Sequence, residues 1–299
     1  MQAFPKPNIT FNPASQILSD AKFSIVIPSW NNLAMLQFCL AAIKKNSTYN
    51  HQIIIHVNEG TDGTLAWIKT QRLDYTYSAQ NAGVCYAMNA MATLAKTDYI
   101  LFLNDDMYVC PQWDEVLWNE VQLQNNHLWY FSGTMIEPKY SGNKCAIAPF
   151  DFGNSPNNFK EKELLTFVSK LKHHDWFGAS WPPSLVHISL FNQVNGYSEE
   201  FSPGMYSDPD FSMKLWQAGV RNFKGLGNSL VYHFQSKSTG RVQKNDGRKQ
   251  FAAKWKFPSS YFYKNVLLLG NVFNHDTTLK FTKDIFYLSA KLRAWWIAK

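Results

Sequence analysis

Short apolar runs alternate with longer segments carrying apolar residues at helical spacing through the first third of the chain. Phe23 to Ile27 is a β-rich run that Pro28 closes. Leu33 to Lys45 follows with Leu33, Leu36, Leu40 and Ile43 on one face, which predicts a helix. Gln52 to Val57 (QIIIHV) predicts a buried strand, and Gly63 to Thr70 a second helix. Tyr75 to Ser78 is a weaker strand, Gly83 to Ala95 a helix faced with Ala and Met, and Asp98 to Leu103 (DYILFL) the most apolar strand. Strands apolar on both faces that alternate with helices belong to a mostly parallel sheet covered on both sides. The pattern predicts a doubly wound α/β domain.

In such a sheet, ligands bind beyond the carboxyl ends of the strands. Four ends are therefore nominated: Pro28-Ser29-Trp30-Asn31, Asn58 to Gly63, Gln80-Asn81-Ala82-Gly83 and Asn104-Asp105-Asp106-Met107. Turns everywhere use Asn, Asp, Gly and Ser, but four such ends in succession behind buried strands mark a site. Asn104-Asp105-Asp106 is the sharpest signal, because adjacent carboxylates at a strand tip repel unless a cation or donor neutralises them. Carboxylate oxygens suit Mg²⁺ or Mn²⁺, ions that commonly bridge to substrate phosphates. No GxxxxGK[ST] loop and no GxGxxG accompanies the first strand, which disfavours P-loop NTPases and Rossmann-type dinucleotide enzymes.

The remainder is less regular. Gly133 to Asn158, rich in Pro, Gly, Asn and Ser, predicts a mobile loop, and Glu161 to Lys172 a helix. His173-His174-Asp175 reads as a solvent loop, since adjacent histidines point different ways, and Trp176 to Pro183 as one wall of a pocket. Tyr206 to Phe211 opens a helix with Asp208 near the N-cap and Asp210 in the first turn, where capping alone accounts for either acid. Ser229 to His233 is a strand that delivers a histidine at its end.

Composition narrows the class. With 45% hydrophobic and 17% charged residues, the chain is neither disordered nor of low complexity. No run approaches the roughly 18 apolar residues of a spanning helix, and no apolar stretch follows a basic start as in a signal peptide. Cys39, Cys85, Cys110 and Cys145 lie far apart without zinc spacing and read as reduced thiols of a cytoplasmic protein. A net charge of +7 suits an anionic partner. The 11 Trp suit sugar faces, a membrane interface or simply the core. The tail gathers Lys237, Arg241, Lys244, Arg248, Lys249, Lys254 and Lys256, as a solvated surface or a lid over a diphosphate. Its last part sets Phe281, Ile285, Leu288, Leu292 and Trp295 at helical spacing among basic residues. That pattern fits an amphipathic helix on anionic lipid, or one packed on the domain or a partner.

Taken in order, these segments resemble a family 2 glycosyltransferase of the GT-A fold. The resemblance runs over roughly residues 22–235. It is carried by Val26 to Asn32, Val57 to Thr64, Gln80 to Gly83 with Asn89, Asn104-Asp105-Asp106, Asn195 to Phe201, and Asp208-Pro209-Asp210-Phe211 with Gly219. It implies a Rossmann-like sheet with a helical C-terminal extension: an arm over 1–21, a catalytic domain over 22–235 (nucleotide half 22–107, acceptor half 108–235), and an extension over 236–299. The family's roles carry over to Asp106 as a metal ligand, to His233 facing the metal or the diphosphate, to Asp105 or Asn104 beside the ribose, and to Ser29, Trp30 and Asn58 around the base. Pro28, Asn31, Asn81 and Gly83 complete the expected nucleotide site, and Asp208 is the expected catalytic base.

Asn58 stands where the family commonly has Asp, and Ser207 where it often has Glu, so the nucleobase and the orientation of the acceptor depart from the usual pattern. The resemblance implies an inverting, Mn²⁺- or Mg²⁺-dependent transfer from a nucleotide-sugar, a UDP-sugar above all. The acceptor would be a glycan or lipid-linked glycan of a bacterial-type surface polysaccharide, on the cytosolic face of a membrane. A nucleotidyltransferase on a similar sheet, or a non-catalytic nucleotide- or carbohydrate-binding protein, are the alternatives; no nucleic-acid module is recognised.

Overall fold

The computed structural model describes residues 6–14, 20–235 and 244–299. Lys237 and Arg241 of the basic tail, and parts of the expected arm, lie outside the described residues. Among those described, eleven strands form one sheet of order β1-β4-β3-β2-β5-β10-β7-β11-β6, with β8 beside β7 and β9 beside β11. The chain enters through β1 (Ile9–Asn12), β2 (Ser24–Trp30), α1 (Leu33–Asn46), β3 (Gln52–Asn58), α2 (Thr64–Thr70), β4 (Asp74–Ser78), α3 (Gly83–Ala92) and β5 (Tyr99–Phe102). It continues through β6 (Met107–Val109), α4 (Trp113–Gln122), β7 (Trp129–Ile136), β8 (Ala146–Ile147), α5 (Glu161–Val168), β9 (Trp176–Phe177), β10 (Ser184–His187) and α6 (Ile188–Gln193). Last come α7 (Ser207–Gln217), β11 (Asn222–His233), α8 (Gly247–Trp255), α9 (Ser259–Tyr261) and α10 (Ile285–Ala298).

The alternating first third folds as its pattern dictates. Strands β4, β3, β2 and β5 are parallel neighbours. Alternate β2 residues face opposite layers: Ile25 and Ile27 join α1 on one side, Val26 joins α3 on the other. Beyond β5 the sheet is mixed, because β10 pairs antiparallel with both β5 and β7.

Three expectations need correction. Pro28 does not end β2. Pairing with β5 stops at Val26, so the strand continues to Trp30 with one side open, where a residue lacking N–H is tolerated. The expected arm contributes β1, antiparallel to β4, a four-residue edge strand too short to announce itself. Gly133 opens no loop: it lies inside β7, every residue of which is buried. As expected, Asp208 lies near the N-cap: α7 starts at Ser207 after a left-handed Tyr206 (φ 70), and Asp208 and Asp210 both sit in its first turn.

The C-terminal segment packs on the same core, with Phe257, Tyr261, Phe262 and Ala290 in the layer that holds α3 and α7. All four cysteines are buried and unpaired. No helix of the described residues is long and apolar enough to cross a membrane.

Candidate active site

The crevice opens where β2 and β5 part. Leu103 still donates to the Val26 carbonyl, and the next residues leave the sheet, so Asp105 and Asp106 stand at its rim. A cavity of about 500 Å³ follows, lined by Pro28, Ser29, Trp30, Asn58, Asn81, Gly83, Asn104, Asp105, Asp106 and His233. All the expected nucleotide and metal residues except Asn31 therefore meet in one place. Asn31 (φ 46) instead braces the first two turns: its amide donates to Glu59 Oε2 (3.0 Å) and accepts from Thr61 N (2.8 Å).

Several lining residues have internal partners. Ser29 Oγ donates to Asp105 Oδ2 at 2.7 Å, fixing that carboxylate. Asn58 Oδ1 accepts from Ala82 N at 2.7 Å and so ties the end of β3 to the turn before α3. Beneath it, burial pushes the His56 imidazole down to about 4, so this ring is neutral; Nδ1 lies 2.7 Å from Thr76 Oγ1 and Nε2 3.2 Å from Asn58 Oδ1, bracing that side chain. Gly83 is a conformational requirement: at φ +73, a Cβ would stand 2.6 Å from Pro203 Cα. Gly83→Ala is expected to lower stability by about 1–3 kcal/mol and to weaken nucleoside diphosphate binding about tenfold, by displacing the wall shared with Pro203. Thermal unfolding and calorimetric titration check this; unchanged binding would show that the wall is not part of the site.

At the other end of the cavity, His233 ends β11 and places Nε2 3.5 Å from Asp106 Oδ1. Its Nδ1 lies 2.9 Å from Glu137 Oε1, and Glu137 Oε2 accepts from Ser141 Oγ at 2.8 Å. Burial alone would lower the imidazole, but the carboxylates of Asp106 and Glu137 outweigh it and push His233 up to about 10. Burial likewise opposes ionisation of Glu137, and the bonds from His233 and Ser141 hold its carboxyl below the usual range.

The donor set fits a hard divalent cation. With Nδ1 committed to Glu137, Nε2 is the nitrogen that faces Asp106, and it would ligate a cation by giving up the proton that the two carboxylates otherwise hold on the ring. Among the described residues, no group of three His, Cys, Asp or Glu forms an all-protein cage. Phosphate oxygens and water would complete the shell, as Mg²⁺ and Mn²⁺ accept.

Glu137 escaped the sequence reading because residues 133–158 looked like loop. Its signal was the rule that nominated the other strand ends: it follows the buried β7 directly.

A second cavity of about 430 Å³ adjoins the first and shares Asn104, Glu137 and His233 with it. Phe102, Met135, Trp181, Pro182 and Met205 form apolar walls, and Asp208 is among the lining residues. Burial pushes the Asp208 carboxyl up to about 7. Ser207 turns inward, donating to Gly204 O at 2.8 Å. Asp210 is fully buried, with Trp255 Nε1 at 2.8 Å and Lys254 Nζ at 2.9 Å, and fastens α8 to α7. Of the expected aromatic wall, Trp181 and Pro182 line this cavity. Trp176 and Phe177 form β9 in the sheet, where Trp176 Nε1 donates to Thr134 Oγ1 at 2.9 Å.

Comparison with known proteins gives this geometry a family. A model described as glycosyl transferase family 2 matches residues 24–173, half of the 299-residue chain. No curated protein sequence matches. Among solved structures, S. aureus TarS 1–349 superposes with a TM-score of 0.52 at 14% identity, over 78% of this chain and 65% of that one. The same fragment in complex with UDP-GlcNAc gives 0.54 at 15% identity, over 79% and 64%. GalNAc-T7 with UDP, GalNAc and Mn²⁺ gives 0.53 at 14% identity, over 82% and 53%. The chain thus spans just under two-thirds of the TarS fragment and about half of GalNAc-T7. Identities so low speak to the fold, the GT-A arrangement expected from the sequence. The family match ends before Asp208 and His233, and it takes in the strand ends that build the first cavity. The chain belongs to glycosyl transferase family 2.

Proposed function

We propose that this protein is a divalent-metal-dependent, inverting glycosyltransferase. It would move a sugar from a nucleotide-sugar to a hydroxyl of a glycan or lipid-linked glycan, in the assembly of a surface polysaccharide. The observation that carries the reading is the junction of two cavities: one ends in Asp106 and His233, the other presents Asp208, and they share Asn104, Glu137 and His233. UDP-GlcNAc in TarS and UDP, GalNAc and Mn²⁺ in GalNAc-T7 support a UDP-sugar as the donor class.

In this reading the nucleoside lies along Pro28, Trp30, Asn58 and Asn81, the neutral and aromatic end of the first cavity. Its diphosphate reaches the end formed by Asp106 and His233. These two residues would hold the cation, which when bound supplies Lewis-acid stabilisation of the departing diphosphate. Glu137 fixes the His233 ring through Nδ1 and would keep Nε2 available to the cation.

Asp208 accepts the acceptor hydroxyl proton as oxygen attacks the anomeric carbon. A base with a pKa near the working pH combines useful strength with a substantial ionised fraction. Transfer is therefore expected to rise with pH through about 7 and then level off; a flat profile from pH 5 to 9 would remove Asp208 from the base role. A double displacement needs a nucleophilic carboxylate at the anomeric carbon. Asp210 is locked beneath α8 and Glu137 is engaged by His233 and Ser141, which supports a single displacement with inversion. Thermal-shift screening of nucleoside diphosphates with Mn²⁺ tests the donor assignment: stabilisation by at least one of them is expected, and none with any would contradict it.

A further inference from the structure

The last helix is attached by the face that sequence patterning makes least conspicuous. In α10, Ala290 and Ala294 are buried, and Tyr287 packs against Phe257 and Tyr261. Ile285, Leu288, Leu292, Trp295 and Trp296 are exposed, Ile285 to 75% and Trp296 to 70%. At about 100° per residue, these five residues fall in one arc of roughly 100° on the side opposite the alanines, while Phe286, also exposed, lies outside that arc beyond Arg293. Lys291 and Arg293 border that stripe on its two sides, and both are exposed. Counting the flanks, Lys280, Lys283, Lys291, Arg293 and Lys299 face a single acid, Asp284, and that carboxylate caps the helix by accepting from Tyr287 N.

We propose that this outward stripe is a docking surface for an anionic lipid bilayer, on which α10 lies parallel to the plane. An apolar stripe edged by cations is what a headgroup boundary accepts: the large side chains enter the acyl region, and the cations meet phosphates. A second protein copy would set the same cations against each other, which disfavours a symmetric pairing through this face. Lys249 Nζ donates to Lys299 O at 2.7 Å, tying α8 to α10. Asn245, just ahead of α8, exchanges two 3.1 Å hydrogen bonds with the backbone of Met205. Met205 lines the Asp208 cavity. Docking therefore holds that cavity in a fixed relation to the lipid surface.

Flotation of the full chain with vesicles tests this directly. Phosphatidylcholine vesicles containing one-third phosphatidylglycerol are expected to carry the protein, pure phosphatidylcholine much less, and added salt to weaken the difference. The double variant Lys291→Gln/Arg293→Gln should partition about 30-fold less, the equivalent of about 1 kcal/mol per cation. Leu288→Gln/Leu292→Gln should lose roughly 100-fold or more. Both leave Ala290 and Ala294 in place, so the unfolding midpoint should not move. Failure of the parent to float with anionic vesicles, or equal flotation of all variants, would overturn the proposal. A concentration-dependent dimer that the leucine variants abolish, without vesicle binding, would assign the face to a second copy and overturn it as well.

Discussion

Asp208→Asn is expected to cut sugar transfer by roughly 10²–10⁴, the usual worth of a positioned general base, while donor affinity stays within error. Capping does not complicate the substitution, since the helix boundary falls at Tyr206 and Asp208 lies inside α7. Asn preserves size and polarity and removes only the ability to take a proton. The variant carries a second, opposite signature in stability. Burial raises the folded-state pKa of Asp208 from 3.8 to about 7, so the folded protein binds this proton more tightly than the unfolded chain. The parent's stabilisation from that proton is complete below about pH 4 and is lost as pH rises through 7. At pH 8 the Asn variant should therefore be the more stable of the two, by an amount on the order of 1–3 kcal/mol after allowing for screening by cavity water. At pH 4 the two should unfold alike. Reduced activity with unchanged stability at pH 8 would leave the proposed burial of a charged base without support.

Asp106→Ala should abolish the Mn²⁺-dependent part of nucleoside diphosphate binding and with it transfer, while the fold persists. The side chain stands at the end of a strand, and its backbone carbonyl would still accept from Phe234 N. Glu137→Gln should weaken Mn²⁺ affinity about 10–100-fold, the usual effect of losing a partner that orients a ligating histidine. Asp106 itself stays unchanged in that variant. Titration calorimetry with and without Mn²⁺ separates the two. Equal diphosphate affinity in both conditions for the parent protein would dismiss the metal assignment.

Much of this site was legible because its residues follow buried parallel strands. The runs ending at Pro28, Val57 and Leu103 are apolar on both faces, and the carboxyl-end rule then points to Ser29, Trp30, Asn58, Asn104, Asp105 and Asp106 without any contact information. Glu137 was missed for an identifiable reason. Gly133 stands at the head of the Pro-, Gly-, Asn- and Ser-rich segment that predicts a loop, yet a Cβ there would lie 2.7 Å from Pro183 Cγ and 2.8 Å from the Ser229 carbonyl. Glycine at this position answers crowding between strands, which a local pattern does not contain.

Asp210 shows the same limit at longer range. Sequence spacing placed it in the first turn of a helix beside the expected base. Its role comes from Trp255, 45 positions away, together with Lys254. The terminal helix inverts the usual inference: apolar residues at helical spacing predict a core-facing stripe, whereas here Ala290, Ala294 and Tyr287 make the contact and Ile285, Leu288, Leu292, Trp295 and Trp296 face outward.

Glycosyl transfer and nucleotidyl transfer would use similar metal aspartates on similar sheets, and they break different bonds. Incubation with Mn²⁺, a panel of nucleotide-sugars and a glycan acceptor, followed by ³¹P NMR of the products, distinguishes them. One nucleotide-sugar should yield nucleoside diphosphate with the parent protein, and almost none with Asp208→Asn. Pyrophosphate or nucleoside monophosphate as the product, or equal diphosphate release by both proteins, would contradict it.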